Sequence, residues 1–457
     1  MTQNAPESAG NIVKFQISSN FTDYAVELSA GVVDFRYYEN VLSNSVTATA
    51  TLVETGYQAD DKGGAGGNQS TVDGLPIRGG ERTEITIEDA SGHELTFEEG
   101  LYVNRLRDVD AGTSKDVYFI DFASREFFAN EQTRVVKKYE GNIGDNVEKI
   151  LKDVLKVESD IDIDNTAVPY NFLGNDRKPF YVCTWLASKS IPEVTTEDGK
   201  SGKGGASGYL FFQTRDGYHF KSIDKTFTGK PKKKYIFNNS TNLPEGYDAK
   251  VLTYDINSDI DVGKNLMMGM YNNRSIFFNP LSFNYEVRSF PDTNTTPQIT
   301  EDTIPTEDEY LAKTQNAAEE PVGKLIPDEF RQSPTRFMSF VLDTGVMPSG
   351  ITSQDQLDTW SSEKAKDNFD VKETMVQSVM RYNQLFTVKT EITIPGDFSI
   401  KAGDLVQCDF PDLSGNESKD VNPETKGIYM VASVCHRITP SSSNTSLSLV
   451  RDSFGGK

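Results

Sequence analysis

Between Ser45 and Val53 apolar and polar residues alternate without a break. Val46, Ala48, Ala50 and Leu52 fall on one side, and Ser45, Thr47, Thr49 and Thr51 on the other. A period of two marks a strand with one buried face, and the β-branched residues stiffen it. The same reading predicts strands at Ile12–Ser18, Arg82–Glu88, Glu94–Val103 and Lys115–Phe122. Residues 11–125 therefore read as an antiparallel β domain, a small barrel or sandwich. The period then changes. Asp145 to Glu148 has the spacing of a capping box, and Val147, Ile150, Leu151, Val154 and Leu155 behind it form one helical stripe. A second helix is predicted from Pro179 to a point before Pro192, with Phe180, Cys183, Trp185 and Leu186 buried.

The stretch Tyr209–Asp224, YLFFQTRDGYHFKSID, places Asp216-Gly217 between two aromatic runs. Such a pair predicts a tight hairpin, with glycine supplying the positive φ of the turn. Alternation puts Leu210 and Phe212 on one face and Phe211 on the other, with Tyr218 and Phe220 sharing a face on the return strand. Packed on the short helices, the hairpin predicts a small α/β layer over 126–232. Further strands are predicted at Lys234–Asn238, Ser275–Phe278 and Ser282–Phe290. Residues 291–332 are rich in Pro, Asp and Glu and read as a linker or insert. A helix follows from about Asp370, where Asp370 to Glu373 suggests a capping box and Met375, Val379 and Tyr382 face inward. Val388, Thr390, Ile392 and Ile394 then resume strict alternation. Later strands are predicted at Asp404–Phe410, Gly427–Ile438 and Thr445–Asp452. Two glycine-rich runs, DDKGGAGGNQ from Asp60 and DGKSGKGGASG from Asp198, read as solvated loops. The fold class is α+β, mainly antiparallel β.

Length and charge narrow the classes. A chain of 457 residues is long for one core and implies roughly three domains. With 27 Phe and 19 Tyr it has ample core material, which argues against global disorder. A net charge of −22 argues against a broad nucleic-acid-binding face, though not against a surface that DNA passes without sticking. The first residues, MTQNAPESAGN, lack the basic and apolar regions of a secretory signal, and no apolar run is long enough to predict a membrane span. Cys183, Cys408 and Cys435 are scattered, as expected in a reducing cytoplasm, and Asn-x-Ser/Thr triplets such as those at Asn20 and Asn294 then carry no glycan.

The search for chemistry names no catalytic, cofactor-binding or metal-ligating residue, and no cofactor. His93, His219 and His436 have no metal-site spacing. Cys408 and Cys435 could be neighbours but read as structural thiols. Gly199-Lys200-Ser201 resembles the end of a phosphate loop, yet Val194 stands where the loop needs glycine. Asp160, Asp162 and Asp164 begin like a calcium loop, with Asn165 at the turn glycine and Asn171 at the bidentate glutamate. The basic run at Lys230 and Lys232–Lys234 reads as a solvated strand end or a contact for an acidic neighbour.

Four segments in order carry a resemblance: Phe35–Asn44 running into the Ser45–Val53 strand, Phe122–Glu126, Phe180–Ser188 followed by the glycine loop and the aromatic hairpin, and Phe398–Asp404 leading to Phe410-Pro411. Together they span residues 11 to 452, and their order resembles the central baseplate hub protein of contractile-tailed bacteriophages, of the T-even and cyanophage type. The resemblance implies two tail-tube-like β-barrels with smaller domains: 11–125 as the first barrel, 126–232 as a small α/β domain, 233–290 with 370–453 as the second barrel, and 291–369 as a polar insert. It also implies a non-enzymatic structural protein in the virion tail baseplate, assembled in the host cytoplasm. There a homotrimer would adapt the sixfold tube to a trimeric tail spike, touch tube or tube-initiator proteins and surrounding wedge proteins, and meet DNA only in transit. The competing expectations are a peptidoglycan- or glycan-degrading tail enzyme and another tube-initiator or distal-tail structural protein.

Overall fold

The computed structural model describes residues 10–21, 23–55, 70–97, 99–111, 115–167, 169–195, 201–203, 207–227, 229–238, 242–257, 261–270, 272–279, 283–290, 327–331, 334–341, 371–411 and 425–451. Most of the structure is β. The first eight strands are β1 (Asn11–Ser18), β2 (Ala25–Glu27), β3 (Val32–Asn40), β4 (Thr47–Glu54), β5 (Arg82–Glu88), β6 (Glu94–Thr96), β7 (Leu101–Ala111) and β8 (Asp116–Ala123). They pair in the order β3-β4-β8-β7-β5-β1-β2, all antiparallel, with β6 on β5. Phe15, Ile17, Phe35, Tyr37, Ala48, Ala50, Leu52, Ile120 and Phe122 fill their interior, as the alternation of Ser45–Val53 predicts. The expected strand Glu94–Val103 is split, because the chain turns at Gly100, whose φ is +73°.

Next come β9 (Lys138–Tyr139), β10 (Asp160–Ile163), β11 (Phe172–Leu173), β12 (Glu193–Thr195), β13 (Ser201–Lys203), β14 (Tyr209–Thr214) and β15 (Gly217–Ser222). The helices Ile143–Lys149 and Pro179–Ala187 pack with the β14–β15 hairpin around Val147, Ile150, Leu151, Cys183, Leu186, Phe211, Tyr218 and Phe220. The first of these helices starts two residues before Asp145. Gly144 N donates to Thr166 Oγ1 at 3.0 Å, so its first turn is satisfied from outside rather than by a capping box. It continues as a π turn at Ile150–Val154, where Val154 is half-buried, as is Trp185 on the second helix. Ser201–Lys203, expected in a loop, pairs with β12.

The third group is β16 (Lys233–Ile236), β17 (Ala249–Lys250), β18 (Thr253–Asn257), β19 (Asn273–Asn279), β20 (Asn284–Phe290), β21 (Arg336–Val341), β22 (Val388–Pro395), β23 (Leu405–Asp409), β24 (Gly427–Ile438) and β25 (Ser443–Arg451), with the helix Val371–Leu385 before β22. β19, β20 and β21 form a separate sheet, so the strands expected at Ser275–Phe278 and Ser282–Phe290 stand apart from the large sheet and pair with a strand from the expected polar insert. The other seven pair in the order β18-β22-β25-β24-β23-β16-β17. Their interior holds Tyr235, Val388, Ile392, Ile394, Val406, Tyr429, Val431, Leu447 and Leu449.

The two orders correspond strand for strand: β3, β4, β8, β7, β5, β1 and β2 match β18, β22, β25, β24, β23, β16 and β17. One member is reversed, since β16 runs parallel to β23 whereas β1 runs antiparallel to β5. In each set the two end strands are consecutive in the chain. β2 leads to β3 through the turn Ser29–Gly31, which touches both β1 and β4. β17 leads to β18 through Val251, whose N–H donates to Ile236 O at 2.9 Å, and Leu252, whose N–H donates to Thr393 O at 2.7 Å. β3 also pairs with β24, from Asn40↔Ser433 to Phe35↔Ile438, and this joint makes one 15-stranded sheet of both sets.

The capping box expected at Asp370 and the glycine-rich run from Asp60 lie outside the described residues, as do all of 291–332 except 327–331.

Candidate functional site

The joint between the two strand sets is the most elaborated part of the molecule. Glu39, on β3, is buried, and its carboxylate reaches the hairpin turn and the loop before β23. Its carboxylate accepts from Tyr37 Oη at 2.9 Å, from the N–H of Arg215 at 2.9 Å and from the N–H of Ala402 at 2.8 Å. Burial pushes its pKa up, and those hydrogen bonds with the Arg215 charge only partly offset this. One side chain thereby ties the first strand set, the hairpin turn and the loop before β23. Across β3–β24, Arg437 Nε donates to Asp34 Oδ1 at 2.9 Å. His436 lies buried against Tyr37 and Phe398, with Nδ1 2.9 Å from Thr445 Oγ1, and burial drives its pKa down to about 3.

The hairpin docks onto this joint. Leu210 and Phe212 face a cluster with Val41, Leu405, Met430, Ala432 and Leu385, while Tyr209, Phe211, Tyr218 and Phe220 face the helices. The two faces predicted from sequence are both cores. The turn is Arg215-Asp216, since Thr214 pairs with Gly217. Gly217 is needed for another reason: its φ is +144°, and a Cβ there would meet Asp160 O at 2.0 Å, where β10 runs alongside. Gln213 is buried beside it and accepts from Val46 N at 3.1 Å and Ser124 Oγ at 2.8 Å. His219 stacks on Phe212 and contacts Thr214 Oγ1 at 2.8 Å, and burial lowers its pKa.

A cleft of about 330 Å³ opens between β7, the helix Arg125–Gln132 and the hairpin turn, lined in part by Glu99, Arg125, Glu126, Asp160 and Arg215. Glu126 is buried, and burial together with the neighbouring Glu99 raises its pKa to about 7. A carboxyl pair in a cleft is what a glycoside-cleaving enzyme would show. Here the Arg125 guanidinium lies 3.4 Å from Glu99 and 3.1 Å from Glu126. The three groups form a charge knot that holds the loop before β7 to the helix.

Asp89, His93 and Asp397 also come together, with candidate ligand atoms within 4.8 Å of one another. Their atoms are already engaged. Asp89 accepts from the N–H groups of Ser91 and His93 at 2.8 Å and of Phe398 at 2.9 Å, and from His93 Nδ1 at 3.0 Å. Asp397 accepts from Ser399 N at 2.9 Å and Oγ at 2.5 Å, with Lys233 Nζ at 3.6 Å. Burial opposes its charge, but these bonds and Lys233 lower its pKa on balance. An ammonium beside the trio takes the place a cation would compete for, so the group reads as a polar strap between the two strand sets.

The remaining sequence candidates are structural. Asp160 and Asp162 lie on β10; Lys221 Nζ sits 2.5 Å from Asp162, and Lys225 Nζ 3.2 Å from Asp164. Cys408 faces Gly427 across β23–β24 while Cys435 faces Tyr38 across β24–β3, so the two are not neighbours. Burial raises both thiols. Lys232 is not a free strand end, because its Nζ bonds Ser399 O at 2.6 Å and Asp404 at 2.9 Å. Gly199 and Lys200 lie outside the described residues. Sequence reasoning missed Glu39 on β3, Gln213 on β14 and Glu126 in the helix Arg125–Gln132, since a single polar residue whose partners lie far along the chain carries no period.

No protein-family model matches the sequence, and no curated protein sequence matches it. Among solved structures, the chain is similar to a tail protein from Neisseria meningitidis MC58, at 9% identity and TM-score 0.46 over 96% of each chain. It is similar to the 43 kDa tail protein of prophage MuSo2 from Shewanella oneidensis, at 9% identity and TM-score 0.49 over 96% of this chain and 98% of that one. A third similar structure is the E. coli c3393 protein, a type VI secretion system component described as structurally similar to the T4 bacteriophage tail proteins gp27 and gp5. It is 8% identical, with TM-score 0.39 over 97% of this chain and 79% of that one.

Proposed function

We propose that this protein is the central hub of a phage contractile-tail baseplate, a homotrimeric ring that joins a sixfold tail tube to a threefold spike. The observation that carries the reading is the repeated strand order. A chain with two equivalent β modules, trimerised, presents six similar units to one neighbour and three identical chains to the other. Each strand set is read as a tube-like barrel, the first over 11–125. The second takes β16–β18 and β22–β25, within 233–290 and 370–453. The hairpin domain, 126–232, packs against the joint between them. The sheet β19–β21 belongs with the insert.

The residues support a mechanical role. Glu39 and the Asp89–His93–Asp397 strap fasten the two strand sets to each other, and Gln213 fastens the hairpin to the first of them. The net charge of −22 suits a ring through which DNA slides without being held. A trimeric tail spike, tube or tube-initiator proteins and wedge proteins are the partners this role requires. The test is co-purification with a trimeric spike protein encoded alongside it: a complex of three chains with three spike chains supports the reading. Six copies per ring, or turnover of cell-wall glycan, would overturn it in favour of a tube-type or enzymatic part.

A further inference from the structure

The cleft between β7, the helix Arg125–Gln132 and the hairpin turn is lined by residues whose hydrogen bonds are incomplete. Glu126 is 2% exposed, and its Oε2 accepts from Gln213 Nε2 at 3.3 Å. Its Oε1 is buried and accepts no hydrogen bond among the described residues. Arg125 Nη2 lies 3.1 Å from it, but that nitrogen donates to Leu155 O at 3.2 Å and to Lys156 O at 2.5 Å. The contact with Glu126 is therefore one of charge alone. Glu99 Oε1 and Arg215 Nη1 belong to residues lining the same cleft and are also buried without a hydrogen-bond partner among the described residues. Folded interiors pair nearly every buried polar atom, so three such atoms around one cleft need a reason. Burial and Glu99 also raise the pKa of Glu126 to about 7, so its charge opposes folding. A carboxyl kept under those conditions fits a binding role better than a purely structural one.

Charge says which ligand the cleft suits. Glu99, Glu126, Glu158, Asp160 and Asp216 line it against the guanidinium groups of Arg125 and Arg215. Asp216 is paired with Arg215 and Lys401, and Arg125 with Glu99 and Glu126. Glu158 and Asp160 are exposed and form no ion pair among the described residues. A partly closed cleft with this excess of negative charge attracts a cation. Two open carboxylate oxygens suit a guanidinium, whose planar fork donates in more than one direction. Arg215 Nη1 asks for the opposite, an acceptor. A bare amine or polyamine has none, whereas a peptide carries a carbonyl beside every side chain. The volume, about 330 Å³, is at the small end for ligand pockets and suits one residue better than a folded element. We propose that this cleft receives an arginine side chain from a segment of another polypeptide. The guanidinium lies on Glu99 and Glu126, and a carbonyl of the same segment accepts from Arg215 Nη1. The inference goes beyond the hub reading and does not depend on it.

The test titrates the full-length protein at about pH 8, where Glu126 is ionised, with the capped tripeptide acetyl-Gly-Arg-Gly-amide. Calorimetry and saturation-transfer NMR read the binding. Saturable one-site binding is expected. The citrulline counterpart has nearly the same shape but no charge and should bind at least about tenfold more weakly, because a hydrogen bond between charged groups is worth a decade or more. Glu126→Gln should weaken the arginine peptide to a similar degree. That variant keeps an amide oxygen in place of the carboxylate and is expected to fold, and its thermal unfolding is recorded alongside so that lost binding is not mistaken for lost structure. Agmatine, a guanidinium without a carbonyl, should bind several-fold more weakly than the tripeptide, and Arg215→Met should abolish that difference. Absence of saturable binding by the tripeptide, equal binding by its citrulline counterpart, or binding untouched by Glu126→Gln overturns the proposal. Agmatine binding as tightly as the tripeptide overturns the assignment of a peptide as the source of the cation.

Discussion

The Glu39 carboxylate and the backbone N–H of Ala402 are hydrogen-bonded at 2.8 Å across a sequence separation of 363 residues. That bond, with those from Tyr37 and Arg215, makes one buried side chain the meeting point of three parts of the chain. Replacing Glu39 with Ala leaves two buried donors and one partly buried donor without this acceptor. We expect a loss of about 3–5 kcal/mol in chemical denaturation, with Glu39→Gln losing less because its amide oxygen still accepts. An Ala variant within about 0.5 kcal/mol of the parent would remove Glu39 from its assigned role.

Gly403 and Phe212 form a matched pair. A Cβ on Gly403 would lie 2.8 Å from Phe212 Cζ, at a φ of +88° that side chains resist. Gly403→Ala should cost about 1–3 kcal/mol, and in a double-mutant cycle Phe212→Leu should recover part of that cost by vacating the ring tip. Strictly additive losses would show that the backbone conformation alone is responsible. Phe212→Asp buries a charge in the same cluster and should unfold the protein or stop its assembly.

Glu126 gives a pH signature with a definite sign. Its folded pKa, raised to about 7 from 4.5, favours the protonated folded form. Its stabilising contribution is full below about pH 4.5 and is lost as pH rises through 7. Glu126→Gln mimics the protonated group, so it should match the parent near pH 4.5 and exceed it at pH 8, by no more than about 3 kcal/mol. The readout is thermal unfolding of both proteins over that range. A constant difference, or a larger one at acid pH, would contradict the assignment.

Gly217 tests the packing of β10 on the hairpin. A methyl group there meets Asp160 O at 2.0 Å, and the contact is backbone that cannot swing away. Gly217→Ala should therefore destabilise the middle of the molecule by more than the roughly 1 kcal/mol of an ordinary glycine-to-alanine strain. Hydrogen exchange should speed up in Asp160–Ile163 while β3 and β4 keep their protection.

The alternating strands were legible because burial on one face imposes a period of two. Ser45–Val53, Val388–Ile394 and Gly427–Ile438 all lie where that pattern puts them. The aromatic hairpin was legible as core on both faces because its two strands offer large side chains in alternate directions. The Glu94–Val103 run misled because apolar residues continue through a turn that Gly100 makes. The strand partner of 273–279 was hidden for a different reason: β21, Arg336–Val341, lies in the stretch assigned to the insert, where no strand was predicted. The fastening residues were hardest to read. Glu39, Gln213 and Glu126 act through contacts with residues far away in the chain, and no local pattern encodes a partner.

The most direct test of the account is the native mass of the purified full-length protein at micromolar concentration. Three times the 50.7 kDa chain mass is the predicted result. A persistent single-chain mass, or a six-chain ring, would contradict the claim that two β modules per chain close with two further copies into a hub.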